Sequence, residues 1–359
     1  MTSMSDLIDV PVRFDLAEST SPPLNLGDLA SPATLAAVPL GYGTSRGDAE
    51  LRGLVAAASG VDASQVLLTV GAVEAMFLLA HVTCTPGDRV VLATPCFPPA
   101  RAVPAGLGAQ VDVVPLSFDE GYRLPLEAVA AALGPRTRLV SLASPQNPSG
   151  VRFTDEELLA LLAAVDSRAP DAVVLLDETY RESTYGDASA PSSAAPLSPR
   201  LVTCSSVSKA HGAPGLRLGW LTTTDAALYD RLREAKFRTT IACSTVDEFL
   251  AAQVLRRRAE ILIPRARRLR AALDELLTWT RTQPIEIVPP DGGALCCLRL
   301  PAEAVPTFYA RLAERDTRVA PGSWFGEDDR VFRLGFGHLP PAEFTAALNH
   351  LADALAAAA

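Results

Sequence analysis

Ala172-Val173-Val174-Leu175-Leu176-Asp177 is a short apolar run closed by an acid. A run with no polar face fits a strand covered on both sides, as in a parallel sheet flanked by helices. Similar runs occupy residues 88–93, 111–116, 137–143, 201–205 and 216–221, several of them rich in Val and Leu. Helical patterns fall between them at 72–82, 125–133 and 154–167. Thr154 followed by Asp155, Glu156 and Glu157 is a strong helix start: a hydroxyl can cap the first N–H groups, and acids in the first turn suit the helix dipole. Alternating strands and helices predict an α/β fold with a mostly parallel central sheet. Ligands of such sheets gather at the carboxyl ends of the strands, so the residues just past each run are the candidates for function.

Four such places carry chemistry. Asp177, in Asp177-Glu178-Thr179-Tyr180, can pair with a protonated ring nitrogen; the alternative is a helix N-cap. Asn147, in Asn147-Pro148-Ser149-Gly150 after the 139–143 run, can hydrogen-bond a ligand oxygen; the alternative is an ordinary Pro-Gly turn. Gly71-Ala72-Val73-Glu74-Ala75 opens a helix after the run 66–70. Its first N–H groups and the helix dipole make a seat for phosphate, set against plain turn chemistry.

The fourth is Ser205-Ser206-Val207-Ser208-Lys209, followed by Gly215-Leu216-Arg217-Leu218-Gly219. A lysine at a strand end can hold an aldehyde, and Ser206 with the Arg217 fork can bind a dianionic phosphate. The alternative is a polar loop with Lys209 on the surface. Lys209 and Lys236 are the chain's only lysines, against thirty-two Lys and Arg together. Imine chemistry is a reason to keep a lysine, because an amine can lose its proton and attack a carbonyl whereas a guanidinium stays charged. Ser206-x-x-Lys209 is also the nucleophile pattern of serine acylases, but those need a Lys-Thr-Gly element, and Lys236 precedes Phe237-Arg238.

Together and in this order, these motifs resemble fold-type I enzymes of the class I/II aminotransferase family, and the resemblance spans nearly the whole chain. It implies pyridoxal 5′-phosphate as cofactor, held by Lys209 as a Schiff base. It implies that Asp177 pairs with the pyridine nitrogen and that Asn147 and Tyr180 bind the ring's phenolic oxygen. Phosphate would be held by Gly71, Ala72, Val73, Ser206, Ser208 and Arg217. By the same resemblance, Phe97 in Thr94-Pro95-Cys96-Phe97 stacks on the ring. Tyr42 in Gly41-Tyr42-Gly43 reaches the phosphate of a neighbouring subunit, giving a homodimer with shared sites. Arg333 in Phe332-Arg333-Leu334-Gly335 forks the substrate α-carboxylate, with Gly27 beside it. The substrates implied are an amino acid and a keto acid, and the reaction is transamination.

There are departures. No second arginine stands out for a side-chain carboxylate, so aspartate or glutamate specificity is not supported. His211, two residues after Lys209, either tunes the site or packs. The arm before Gly27 is short, so no DNA-binding domain of a regulator is expected there. Residues 205–220 and the proline-rich 94–99 also resemble capreomycidine synthase, a family member that closes a ring on an arginine derivative. Cyclisation, elimination or replacement is therefore the alternative reaction, since fold does not decide chemistry.

At 359 residues the chain exceeds one typical domain. We expect a large cofactor-binding unit at 41–245 and a smaller α+β unit from 1–40 with 246–359. A helical stretch at 245–280 should kink or split at Pro264, the Ala-rich 341–359 should be a helix, and 187–199 should be a surface loop. The net charge of −9 argues against nucleic acid or an anionic membrane as partner. The first residues lack the basic and apolar regions of a signal peptide, and no apolar stretch is long enough to span a bilayer, so a cytoplasmic location is expected. Six scattered cysteines without metal-ligand spacing predict no metal site.

Overall fold

The computed structural model describes residues 4–356; residues 1–3 of the N-terminal stretch and 357–359 of the expected last helix lie outside the described residues. In chain order the strands are β1 (Phe14–Asp15), β2 (Val66–Thr69), β3 (Arg89–Thr94), β4 (Gln110–Pro115), β5 (Thr137–Ala143), β6 (Val173–Asp177), β7 (Leu201–Ser206), β8 (Gly219–Thr222), β9 (Glu286–Val288), β10 (Leu295–Arg299), β11 (Thr317–Arg318), β12 (Ala320–Pro321) and β13 (Val331–Gly335). Seven of them form the central sheet in the order β2-β8-β7-β6-β5-β3-β4. The block β7-β6-β5-β3-β4 is parallel, and β8 runs antiparallel between β2 and β7. This is the mostly parallel α/β sheet that the apolar runs predict.

Alternate residues of each strand serve opposite faces. Val140, Leu142, Val174 and Leu176 pack with helix Asp155–Arg168 through Leu158, Leu161, Leu162 and Val165. Leu139, Leu175, Val202 and Cys204 face helices Gly71–Thr83 and Ala226–Phe237 through Leu78, Leu79, Leu228 and Leu232. With both faces buried, the strands need no polar alternation. Thr154 caps its helix by accepting from Glu157 N, and Glu157 returns the bond to Thr154 N, a capping box.

Three expectations are corrected, and one helix is added that the sequence patterns above do not include. The run 216–221 is strand only from Gly219, because Pro214–Leu216 form a 3-10 turn and Arg217 adopts a left-handed φ of 47°. Proline-rich 98–106 is a helix, its prolines Pro98 and Pro99 standing where a helix needs no N–H. The 245–280 stretch breaks at Arg257, between helices Thr245–Arg256 and Arg258–Thr280, and Pro264 stays inside the second. Pro264 and Glu260, whose carbonyl loses its partner, both face solvent, and water can take up the freed bond. The 187–199 segment is anchored at its middle: the buried Glu178 carboxylate accepts from Ser193 Oγ and from Ala194 N, both at 2.7 Å.

The second sheet, β12-β13-β10-β9, packs on helices Arg258–Thr280, Val305–Ala313 and Pro341–Ala356 through Leu273, Leu298, Phe308, Phe332, Leu334 and Leu351. The N-terminal segment joins it. β1 pairs in parallel with β11, Leu16 is fully buried, and Gly335 N donates to Leu16 O at 2.7 Å. Among the described residues no helix is long and apolar enough to cross a membrane.

Candidate active site

The carboxyl ends of β3, β5, β6 and β7 share one edge of the central sheet, and the end of β2 meets them through Gly219 at the start of β8. A Cβ on Gly219 would lie 2.5 Å from Gly71 C and 2.6 Å from Ala72 N, so glycine is what lets β8 and helix Gly71–Thr83 touch. Gly71 itself has φ +71°, and a Cβ there would come 2.7 Å from Arg217 Nη2. The Arg217 guanidinium thus lies over the helix start, where Val70 supplies no side-chain cap. Ser206, paired with Gly219 across the strands, is buried and accepts from Ser208 N at 3.3 Å. Ala72 and Val73 follow in the first turn of helix Gly71–Thr83 and Ser208 is buried beside Ser206, so a helix start and a guanidinium, groups suited to a dianion, stand together here.

Asp177 ends β6 beside Cys204 of β7. Its Oδ1 accepts from Thr179 N at 2.9 Å and from Thr179 Oγ1 at 2.5 Å. Burial pushes the Asp177 carboxyl up; Thr179, Cys204 and Lys209 pull it down without cancelling that effect. A buried carboxylate in this state is improved by a cationic N–H placed against it. Phe97, Asn147 and Asp177 line one small pocket.

Asn147 sits in a loop held by Gln146, whose Nε2 donates to Pro95 O at 2.5 Å and whose Oε1 accepts from Ser149 N at 3.1 Å. That places Asn147 Oδ1 2.8 Å from Arg333 Nη1. Arg333 is 1% exposed. Its Nη2 donates to Ala17 O at 2.5 Å, its guanidinium lies 4.7 Å from the Phe325 ring centre, and its Nε is buried without an acceptor. An incompletely satisfied buried guanidinium is suited to an incoming carboxylate.

Lys209 Nζ is 3.4 Å from Ser19 Oγ and 3.7 Å from Glu18 Oε1. Ser19 Oγ is also 2.8 Å from the Tyr180 hydroxyl, and the Lys209 amine lies 6.0 Å from the Tyr180 ring centre. Ser206 Oγ is engaged with Ser208 N and the lysine amine with the N-terminal arm, so the acylase reading of Ser206-x-x-Lys209 gains nothing from the geometry.

One edge therefore brings together Asp177, Asn147, Tyr180, Ser206, Lys209, Arg217, Arg333 and the Gly71 helix start. Two residues are not brought in. Gly27 lies in the short helix Leu26–Leu29 with nothing within 4 Å of a Cβ added there; the backbone that meets Arg333 is that of Ala17. Tyr42 is 89% exposed and does not enter this chain's own cleft. His211 is 1% exposed, and its Nε2 lies 3.3 Å from Glu182 Oε2 without forming a hydrogen bond. Burial holds its imidazole pKa below the ordinary value, Glu182 opposing and Arg258, Arg265 and Arg181 adding to the shift. Enclosed in this way, it fits the packing reading of the two. Sequence reasoning passed over Glu18 and Ser19; the one signal was an acid directly after the apolar Leu16-Ala17 pair.

Residues 36–351 match the family model for aminotransferase class I and II. The arginine–pyruvate transaminase of Pseudomonas aeruginosa is 36% identical over 190 residues, spanning 50% of this chain but only 47% of that protein. Capreomycidine synthase of Streptomyces vinaceus is 30% identical over 299 residues, covering 82% of this chain and 76% of that protein. Among solved structures, the PLP-dependent cyclase OrfR superposes with a TM-score of 0.86 at 27% identity, over 98% of this chain and 95% of that one.

Proposed function

Because the chain belongs to the class I and II aminotransferase family, we propose that it moves the amino group of an L-α-amino acid to a keto acid through pyridoxal 5′-phosphate held by Lys209. The observation that carries this reading is the convergence at one sheet edge of a lysine, a raised buried carboxylate, a half-satisfied buried guanidinium and a helix start under the Arg217 guanidinium. When bound, the cofactor supplies an aldehyde carbon for the nitrogen and a ring that withdraws electrons from the substrate α-carbon. The protein does the rest. Asp177 keeps the proton on the ring nitrogen. Asn147 and the Tyr180 hydroxyl bind the phenolic oxygen, and Phe97 lies against the ring. Gly71, Ala72, Val73, Ser206, Ser208 and Arg217 bind phosphate. Arg333 grips the α-carboxylate, which fixes the α-hydrogen toward Lys209 Nζ, the base that takes and returns it.

The test is a single half-reaction. Loaded enzyme given an L-amino acid and no keto acid should release one equivalent of keto acid, with the cofactor recovered in its amine form. No such conversion with any of a broad amino-acid panel sinks the proposal. A second reading, ring closure on the substrate side chain, is supported by the breadth of the match to capreomycidine synthase. It predicts that a substrate carrying a leaving group on its β-carbon, such as a β-hydroxy amino acid, loses that group as its side-chain nitrogen bonds there, giving a cyclic amino acid and water and no keto acid.

The working form in this reading is a cytoplasmic homodimer. Leu40 is 85% and Tyr42 89% exposed, and Phe77, Phe237 and Ile241 are also open to solvent. Bonds from Thr245 Oγ1 to Pro39 O and from Thr240 Oγ1 to Glu74 Oε1 tie the segments that carry them to one another. An apolar face of this kind suits a second copy, with Tyr42 reaching that copy's phosphate seat. Light scattering should give twice the chain mass. Leu40→Arg with Ile241→Arg should give a monomer with little activity; an active monomer removes the shared-site reading.

A further inference from the structure

The arm that enters the cleft brings a charge that the reaction above does not use. Ala17 O is bonded to Arg333, and Gly335 N to Leu16 O, two residues along the same strand. A Cβ on Gly335 would overlap the Glu18 carbonyl, so the arm backbone lies flat against the strand that carries Arg333. The Glu18 carboxylate turns into the cleft, with 22% of its side chain exposed. Its Oε1 accepts from Ser19 N at 2.7 Å and Thr20 N at 2.9 Å and faces Lys209 Nζ. Burial pushes this carboxyl up, but Lys209, the Ser19 N–H, Arg333 and His338 together pull it below its ordinary value. It is ionised at neutral pH.

Two of those cations are committed once the enzyme works, on the reading of the site given above. As substrate binds, before Lys209 is released to act as base, its nitrogen is held by the cofactor aldehyde, and Arg333 takes the substrate α-carboxylate. An anion left in a half-closed cleft without its counter-charge is costly. The substrate side chain leaves the same α-carbon as the two anchored groups and is the one variable part of the ligand. A side-chain carboxylate would meet Glu18 as a like charge, while a cation would restore what Lys209 gave up. We propose that Glu18 is a specificity-determining residue that selects amino acids whose side chain ends in a guanidinium or ammonium group and disfavours aspartate and glutamate.

The test compares L-arginine with L-citrulline, its uncharged near-isostere, and with L-alanine and L-glutamate, using pyruvate as acceptor. Wild type should favour arginine over citrulline by about tenfold or more in kcat/KM, the scale for a buried charge pair, with glutamate poorest. Glu18→Gln keeps an oxygen for Ser19 N and Thr20 N, so the arm can stay in place. It should bring the arginine-to-citrulline ratio to about one, mainly through a higher KM for arginine. Calorimetric Kd values for the two amino acids should converge in the same way. Equal loss for arginine, citrulline and alanine means that Glu18 only shapes the arm, and overturns the inference. So does a wild-type enzyme that turns over alanine without preferring arginine to citrulline, whatever the variant does. No turnover of any amino acid overturns the aminotransferase reading, and the inference with it.

Discussion

Lys209→Ala protein is expected to keep its fold, to hold pyridoxal phosphate only reversibly, and to lose about 10³-fold or more of its turnover. Both roles given to Lys209 depend on its nitrogen. One is covalent attachment of the cofactor, and the other is transfer of the α-hydrogen. Arginine cannot restore either, because its guanidinium stays protonated, so Lys209→Arg should be as inactive as Lys209→Ala. The fold has little at stake. The side chain is about a quarter exposed, and its polar contacts are a long bond to Ser19 and a loose ion pair with Glu18. The unfolding temperature should therefore fall modestly, through the Glu18 charge left without its partner, while activity collapses. Borohydride reduction followed by peptide mapping gives a sharp check, because the chain has one other lysine. Lys236 is fully buried and donates to Ser45 O at 3.0 Å. Wild type should carry the reduced cofactor on Lys209 alone. Label on Lys236, or label surviving in Lys209→Ala, overturns the assignment.

Asp177→Asn is expected to push activity and stability in opposite directions. The carboxylate keeps the ring nitrogen protonated, and an amide cannot, so turnover should fall on the order of 10²–10³-fold, as for other lost charge stabilisation in an active site. In the protein without cofactor the same carboxylate is a burden. Its folded pKa lies above the value in the unfolded chain, with burial the leading cause. A carboxyl shifted in that direction favours folding only while it is protonated. The contribution is present at low pH and disappears as pH rises through the folded pKa. At neutral pH, above the ordinary carboxylate range, folding must either bury the charge of this group or load it with a proton, a cost that asparagine does not carry. Asparagine keeps an oxygen for Thr179 N and Thr179 Oγ1, so those bonds survive. Cofactor-free Asp177→Asn should melt higher than cofactor-free wild type at pH 7, and the gap should close as pH is lowered. Cofactor should stabilise wild type more than the variant. A variant that melts lower at pH 7, or that retains full turnover, contradicts this account of Asp177.

Much of the site is legible in the chain because it is local. Asp177 closes an apolar run, and burial of that run on both faces leaves its last residue at the sheet edge. Asn147 and Lys209 follow their strands by a few residues and share that edge for the same reason. Gly71 stands where a strand becomes a helix. Each of these needs only a strand, its direction and the residue that ends it. The Thr154 capping box is legible for the same reason, since its partners are three residues apart.

What remained hidden depends on distant segments. Pro264 looked like a helix break, yet the helix continues because solvent reaches the freed carbonyl of Glu260, and the exposure of that face is a tertiary property. The 187–199 segment reads as a polar loop until Glu178 is seen to bind Ser193 and Ala194. Gly27 was placed beside Arg333 by register with a family motif, whereas the chain folds so that Ala17 and Glu18 occupy that place.

By itself, then, the sequence determined the alternation of the central strands with helices, the sheet edge on which the proposed site stands, and the lysine, acid and asparagine placed there. The physical reason is that burial pattern, capping and turn chemistry act over a few residues. Only the tertiary structure decided what surrounds them. Asn147 and Arg333 are 186 residues apart and meet at 2.8 Å, and Lys209 and Ser19 are separated by 190. Such contacts follow from the docking of the arm against β13, where glycine at 335 lets the Glu18 backbone lie close, and no local pattern encodes that docking. The selectivity inferred for the enzyme rests on this part of the molecule.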